Sequence, residues 1–123
     1  KEIIILNNAL EVNTKIRRGY NLLDFFVLKN QRLPTKEELM KIEKQKFKQL
    51  KNTKQIDKKL EKIANESNVL FFSKEDYLCD KIEKSCKVLT DKDKKISWDY
   101  AHYTLEGAEY LGKRLFKLEW LKY

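Results

Sequence analysis

The chain has 123 residues, the length of one domain, with 41% hydrophobic residues, one proline and three glycines; that is enough to bury a core and too apolar and linker-poor for a disordered segment. Lys+Arg 27 against Asp+Glu 19 gives a formal net charge of +8, which favours polyanions, yet the excess is lysine scattered among acids. Arg17, Arg18, Arg32 and Arg114 are the only arginines, so the clustered arginine and aromatic surface that reads nucleic acid is not expected.

No run of about 20 apolar residues could span a bilayer, and the N-terminus lacks the order of a signal peptide. The chain as given is expected to be soluble. It opens at Lys1 with "EIIIL" directly behind, which reads as a mature N-terminus or a fragment.

In chain order, Glu2 to Leu6 is a β-branched run bounded by Asn7 and Asn8, the pattern of a strand covered on both faces. Val12, Ile16, Tyr20, Leu23, Phe26 and Val27 recur at spacings of three and four, predicting a helix from Val12 to Leu28 with a break near Gly19. "RLPTKEEL" is a helix start: Thr35 caps the first turn and Glu38 reaches back to it. Leu39, Ile42, Phe47 and Leu50 form the stripe of that helix. "KNTK" interrupts it, and Ile56, Leu60, Ile63 and Ala64 form the stripe of the next. Nine lysines lie between Lys41 and Lys62, mostly between stripe positions, so they read as a solvated face, with a polyanion-binding ridge as the alternative.

"NVLFF", from Asn68 to Phe72, is the second buried-strand candidate, and Ser73 can cap a short helical turn after it. Helix, strand, helix in that order suggests a parallel α/β layout. Cys79 and Cys86 in "LCDKIEKSC" lack the paired spacing of a zinc site. A local disulfide, implying an oxidising compartment, is the sharper reading, and two reduced thiols of a cytosolic protein the plainer one. "KVLT" and "KKISW" flank "DKDK" as a short hairpin turned by Asp91 and Asp93. A last helix runs from about Thr104 to Leu118, with Leu105, Ala108, Leu111, Leu115 and Leu118 on one face.

The chemistry-bearing candidates precede that helix. Asp99 and the chain's single histidine, His102, stand three residues apart. A carboxylate that close can accept a hydrogen bond from Nδ1–H of the imidazole, which fixes the tautomer and leaves Nε2 outward as a general base. The competing reading is a histidine that merely packs among Trp98, Tyr100 and Tyr103.

"WDYAHYTLEGAEYLGKRL" resembles the last block of SGNH (GDSL-type) hydrolases, in which Asp-x-x-His precedes a helix opening in a Ser/Thr-x-x-Gly-Ala-like segment. The upstream order of helix, "NVLFF" strand, "DYLC…C" segment and hairpin is similar to carbohydrate O-acyltransferase SGNH domains, including those attached to multi-spanning membrane acyltransferases. Roughly the last sixty residues carry the likeness, with "KEIIIL" as the strand before them. The resemblance implies a three-layer α/β (flavodoxin-like) sandwich with parallel strands, flanking helices and a small C-terminal β-hairpin. It also implies a Ser-His-Asp site that forms an acyl-enzyme, with His102 as base and Asp99 as its orienting carboxylate.

One departure is large. The family's nucleophile lies in a Gly-Asp-Ser block, and Ser67, Ser73, Ser85 and Ser97 have no such context; nor do Asn7 and Asn8 sit in the Gly-x-Asn setting of an oxyanion hole. The chain is therefore expected to be one domain over 1–123, the C-terminal portion of an SGNH domain, acting as an esterase or O-acyltransferase with a serine supplied from elsewhere. A degenerate, non-catalytic relative is the variant of that reading. The expected acyl group is acetyl and the expected acceptor a carbohydrate. The missing N-terminal part or a membrane acyltransferase domain is the expected partner, the location extracellular or periplasmic, and no metal or organic cofactor is implied. The alternative function is a basic interaction module binding an acidic partner through the helices between Thr35 and Ala64.

Overall fold

The computed structural model describes residues 4–6, 20–50, 54–99 and 102–118. Strand β1 (Ile4–Leu6) pairs in parallel with β2 (Leu70–Phe72), Ile4 opposite Leu70 and Leu6 opposite Phe72. Between them run α1 (Leu22–Asn30), α2 (Lys36–Gln49) and α3 (Lys54–Glu66). Two parallel strands need a long crossover connection, and the three helices supply it. The two apolar runs in the sequence are thus one ladder.

Helix α1 begins just after the expected break near Gly19. Asn21 is its N-cap, in extended conformation, and forms a capping box with Asp24. The part of the expected helix before Gly19 lies outside the described residues. Helix α2 starts where the sequence places it: Thr35 Oγ1 accepts the Glu38 amide, and the Glu38 carboxylate accepts the Thr35 amide at 2.8 Å. Arg32 adds a two-pronged ion pair to Glu38, whose hydrogen bonds hold the Glu38 carboxyl down at about 2.

After β2, Ser73 Oγ accepts the Glu75 amide and starts α4 (Glu75–Leu78). Strands β3 (Cys79–Asp80) and β4 (Ser85–Cys86) pair antiparallel, Cys79 opposite Cys86, and those cysteines are disulfide-bonded. Among the described residues this is the one two-stranded hairpin. The one expected around "DKDK" reduces to a single antiparallel bridge, Leu89 to Lys95, closed by a turn in which Asp93 takes a left-handed φ of 56°. Its upstream arm is diverted into the core at Val88, and its downstream arm turns to bridge Ser97 with Tyr103, so two regular strands never form.

Leu50, Tyr77, Leu78, Cys79, Cys86, Ile96 and Leu111 form the main core, and Leu23, Ile42 and Val88 a second cluster. Helix α5 (Leu105–Lys117) turns Gly107 and Leu111 inward, while Leu105 is 84% exposed and Ala108 also faces outward. The predicted stripe is therefore rotated, because the close approach of Gly107 to Ile96 sets which side of α5 faces the core. Lys46 departs from its reading too: it is buried and donates to the Lys87 carbonyl at 2.9 Å beside the buried Glu43. The chain is a mixed α/β fold with a two-stranded parallel ladder and a two-stranded antiparallel hairpin among the described residues.

Candidate active site

The segment from Lys95 to Thr104 is a loop closed on itself. Ile96 N–H donates to the Val88 carbonyl, Trp98 N–H to the His102 carbonyl and Thr104 N–H to the Ile96 carbonyl, each at 3.0 Å. Asp99 and His102 lie at its tip; Tyr100 and Ala101, between them, lie outside the described residues.

The loop is latched to α5 at its base. Thr104 Oγ1 donates to the Lys95 carbonyl and accepts the Gly107 amide at 2.9 Å, capping the helix. A Cβ on Gly107 would stand 2.0 Å from the Ile96 carbonyl oxygen, so this contact requires glycine. The Thr-x-x-Gly spacing serves both the cap and the latch.

At the tip, one carboxylate engages His102 twice. Asp99 Oδ1 accepts the His102 backbone N–H at 2.6 Å, and Oδ2 lies 2.7 Å from Nδ1. The three-residue spacing permits this, because a side chain can bond its own backbone a few residues on. The Asp99 side chain is 7% exposed and that of His102 65% exposed. A buried acceptor facing Nδ1 places the neutral ring's proton there and leaves Nε2 as the basic nitrogen. The Trp98 and His102 rings lie 5.7 Å apart at 30°. Tyr103, next to His102 in the chain, shares a hydrogen bond with Tyr77, and burial raises both phenols above the ordinary tyrosine range.

The structure thus brings together the two residues expected to act together. None of the four serines stands in a Gly-Asp setting: Ser73 Oγ accepts the Glu75 amide, and the Ser97 carbonyl accepts from Asn21 Nδ2 at 2.8 Å. That last contact is one that periodicity missed. "NLLD" before the apolar run carries the capping-box signature, but a helix read from Val12 hid it. A second miss is the ion pair of Lys95 with Asp24 at 2.6 Å.

The sequence model of the family described as "SGNH domain (fused to AT3 domains)" matches residues 1–117. The chain belongs to this family. No curated protein and no solved structure matches it significantly. As an SGNH domain of the kind fused to AT3 acyltransferase domains, it is tied to acyl-transfer or esterase-related chemistry.

Elsewhere in this SGNH domain, a cavity of about 680 Å³ lies between α1, the start of α2 and the turn at Thr90 to Lys94, lined by Leu23, Val27, Leu28, Leu33, Leu39 and Leu89 among others. Neither Asp99 nor His102 lines it. On the lysine-rich helices Lys44, Lys48 and Lys58 are exposed, and Lys51 lies outside the described residues. No described helix is long and apolar enough to cross a membrane.

Proposed function

We propose that this SGNH domain carries the basic half of an ester-processing active site, with His102 as general base and Asp99 as its orienting carboxylate. The observation that supports it best is the double grip of Asp99 on His102, through the backbone N–H at 2.6 Å and Nδ1 at 2.7 Å, under an exposed imidazole. A histidine serving only to pack would not need its tautomer set by a buried carboxylate while its other nitrogen faces outward.

The nucleophilic serine, in this reading, comes from sequence outside these 123 residues or from a second chain, as does the oxyanion hole. Nε2 takes the serine proton as Oγ bonds to the acyl carbon, then returns it to the departing alkoxide as the ester C–O bond breaks. In the second half Nε2 deprotonates water or an acceptor hydroxyl as its oxygen bonds to the acyl carbon, then returns that proton to serine Oγ as the acyl–Oγ bond breaks. Asp99 stabilises the imidazolium that forms in each half.

The acyl group is acetyl, the acceptor a carbohydrate, and the partner a membrane acyltransferase domain. The 1–123 segment is the C-terminal portion of one SGNH domain, whose three-layer sandwich widens the parallel ladder of β1 and β2. The Cys79–Cys86 bond suits an extracellular or periplasmic location.

The test is turnover of 4-nitrophenyl acetate by the full-length protein. His102→Ala should lower kcat by about 10³-fold or more, and Asp99→Asn, which favours the wrong tautomer, by up to about 10⁴-fold. Undiminished turnover in both variants would remove the reaction role.

A further inference from the structure

A second side chain outside the loop fixes where the pair sits. Asn21 uses both ends of its amide. Oδ1 accepts the Asp24 N–H at 3.0 Å and caps α1, while Nδ2 donates to the Ser97 carbonyl at 2.8 Å, 76 residues along the chain. The Asn21 N–H returns to Asp24 Oδ2 at 3.3 Å, and Asp24 Oδ1 receives Lys95 Nζ at 2.6 Å.

The first turn of α1 therefore holds the segment Lys95 to Ser97 at two points, and the Thr104 and Gly107 latch of α5 also holds it. Ser97 is two residues from Asp99, and its bridge partner Tyr103 adjoins His102. The backbone at Ser97 is thus connected to both members of the pair, along the chain to Asp99 and through the Tyr103 bridge to the neighbour of His102.

Ser, Thr and Asp cap a helix about as well as Asn. None of them also offers a donor at Nδ2 reach: Asp presents an acceptor to an acceptor carbonyl, and the hydroxyls are too short. A cap would be satisfied by any of the four; the tie to Ser97 is specific to asparagine.

We infer that Asn21 is a positioning residue for the Asp99–His102 pair, acting through the Ser97 carbonyl. This rests on the reading of that pair as base and orienter. Misplacement of a catalytic group by about 1 Å costs on the order of 10²-fold in rate, which sets the scale of the effect.

The test uses the full-length protein and the variants Asn21→Ser and Asn21→Asp, which keep the helix cap and remove the donor, beside Asn21→Ala, which removes both. The expected result is a kcat for 4-nitrophenyl acetate about 10- to 100-fold lower at unchanged KM, with thermal melting close to the parent in the Ser and Asp variants. The low-field proton NMR signal of His102 Nδ1–H, assigned by its loss in His102→Gln, should shift or broaden in the same two variants. Parental kcat and an unmoved signal in both would overturn the inference, as would losses that only track melting temperature across all three. The two readings fail separately. Full turnover by His102→Gln would sink the reaction role, while the NMR comparison would still decide whether Asn21 places the imidazole.

Discussion

Gly107 shows how one missing atom sets up the site. Its amide is held by Thr104 Oγ1, and the space a Cβ would fill is taken by the Ile96 carbonyl oxygen at 2.0 Å and by Ile96 C and Cα at 2.7 Å. These are backbone atoms, which cannot swing aside as a side chain would. Gly107→Ala should lower unfolding free energy by about 3 kcal/mol or more, since the overlap exceeds ordinary core overpacking. Gly112 in the same helix has nothing within 4 Å of its hypothetical Cβ, so Gly112→Ala should raise it by about 0.5–1 kcal/mol. Urea denaturation of the two variants checks the contrast, and equal effects would mean that Gly107 is not a contact point. The Gly-Ala-like segment was legible as a pattern; that its glycine admits the neighbouring backbone appears only once α5 is packed on Ile96.

Helix α2 carries the clearest difference between pattern and packing. Its start could be read residue by residue, because a capping box is a local hydrogen-bond exchange between Thr35 and Glu38. Its buried side could not, because Lys46 is counted as solvent-facing by type and becomes buried by the tertiary docking of α2 on β4. Burial lowers the Lys46 ammonium to about 8 in the fold, against 10.5 ordinarily. Between those values the unfolded chain binds more protons than the native one, so stability rises with pH across the window, and below it the cost of the buried cation is carried in full. Relative to Lys46→Met, the parent should gain on the order of 1–2 kcal/mol of unfolding free energy from pH 7.5 to 9.5. Denaturation midpoints at the two pH values measure it, and parallel behaviour of parent and variant would contradict a depressed Lys46. In α1 a cap again sets a boundary: the capping box of Asn21 and Asp24 starts the helix just after the expected break near Gly19.

At the scale of the whole molecule, the apolar runs "IIL" and "LFF" suggested paired parallel strands, and β1 and β2 do pair in parallel, but β2 is not covered as its pattern implies, since Leu70 is exposed and Phe71 and Phe72 are half-buried. The antiparallel strands at Cys79 and Cys86 were hidden because two residues per strand carry no period, although the cysteines that join them were seen. Asp99 and His102 were legible because their contact spans only three residues. The clamp that holds them was not, since it joins Asn21 to Ser97 and Asp24 to Lys95 across more than seventy positions. The molecule thus ties a loop from its C-terminal third to the first turns of α1 and α5, with the His102 imidazole held at Nδ1 and its side chain mostly exposed.

The proposed role of this imidazole is to activate a serine, and phosphonylation measures that role most directly. A fluorophosphonate probe applied to the full-length protein should label one serine stoichiometrically, with the labelling rate about 10³-fold lower in His102→Ala. Absence of any labelled serine, or equal labelling of parent and His102→Ala, would contradict it.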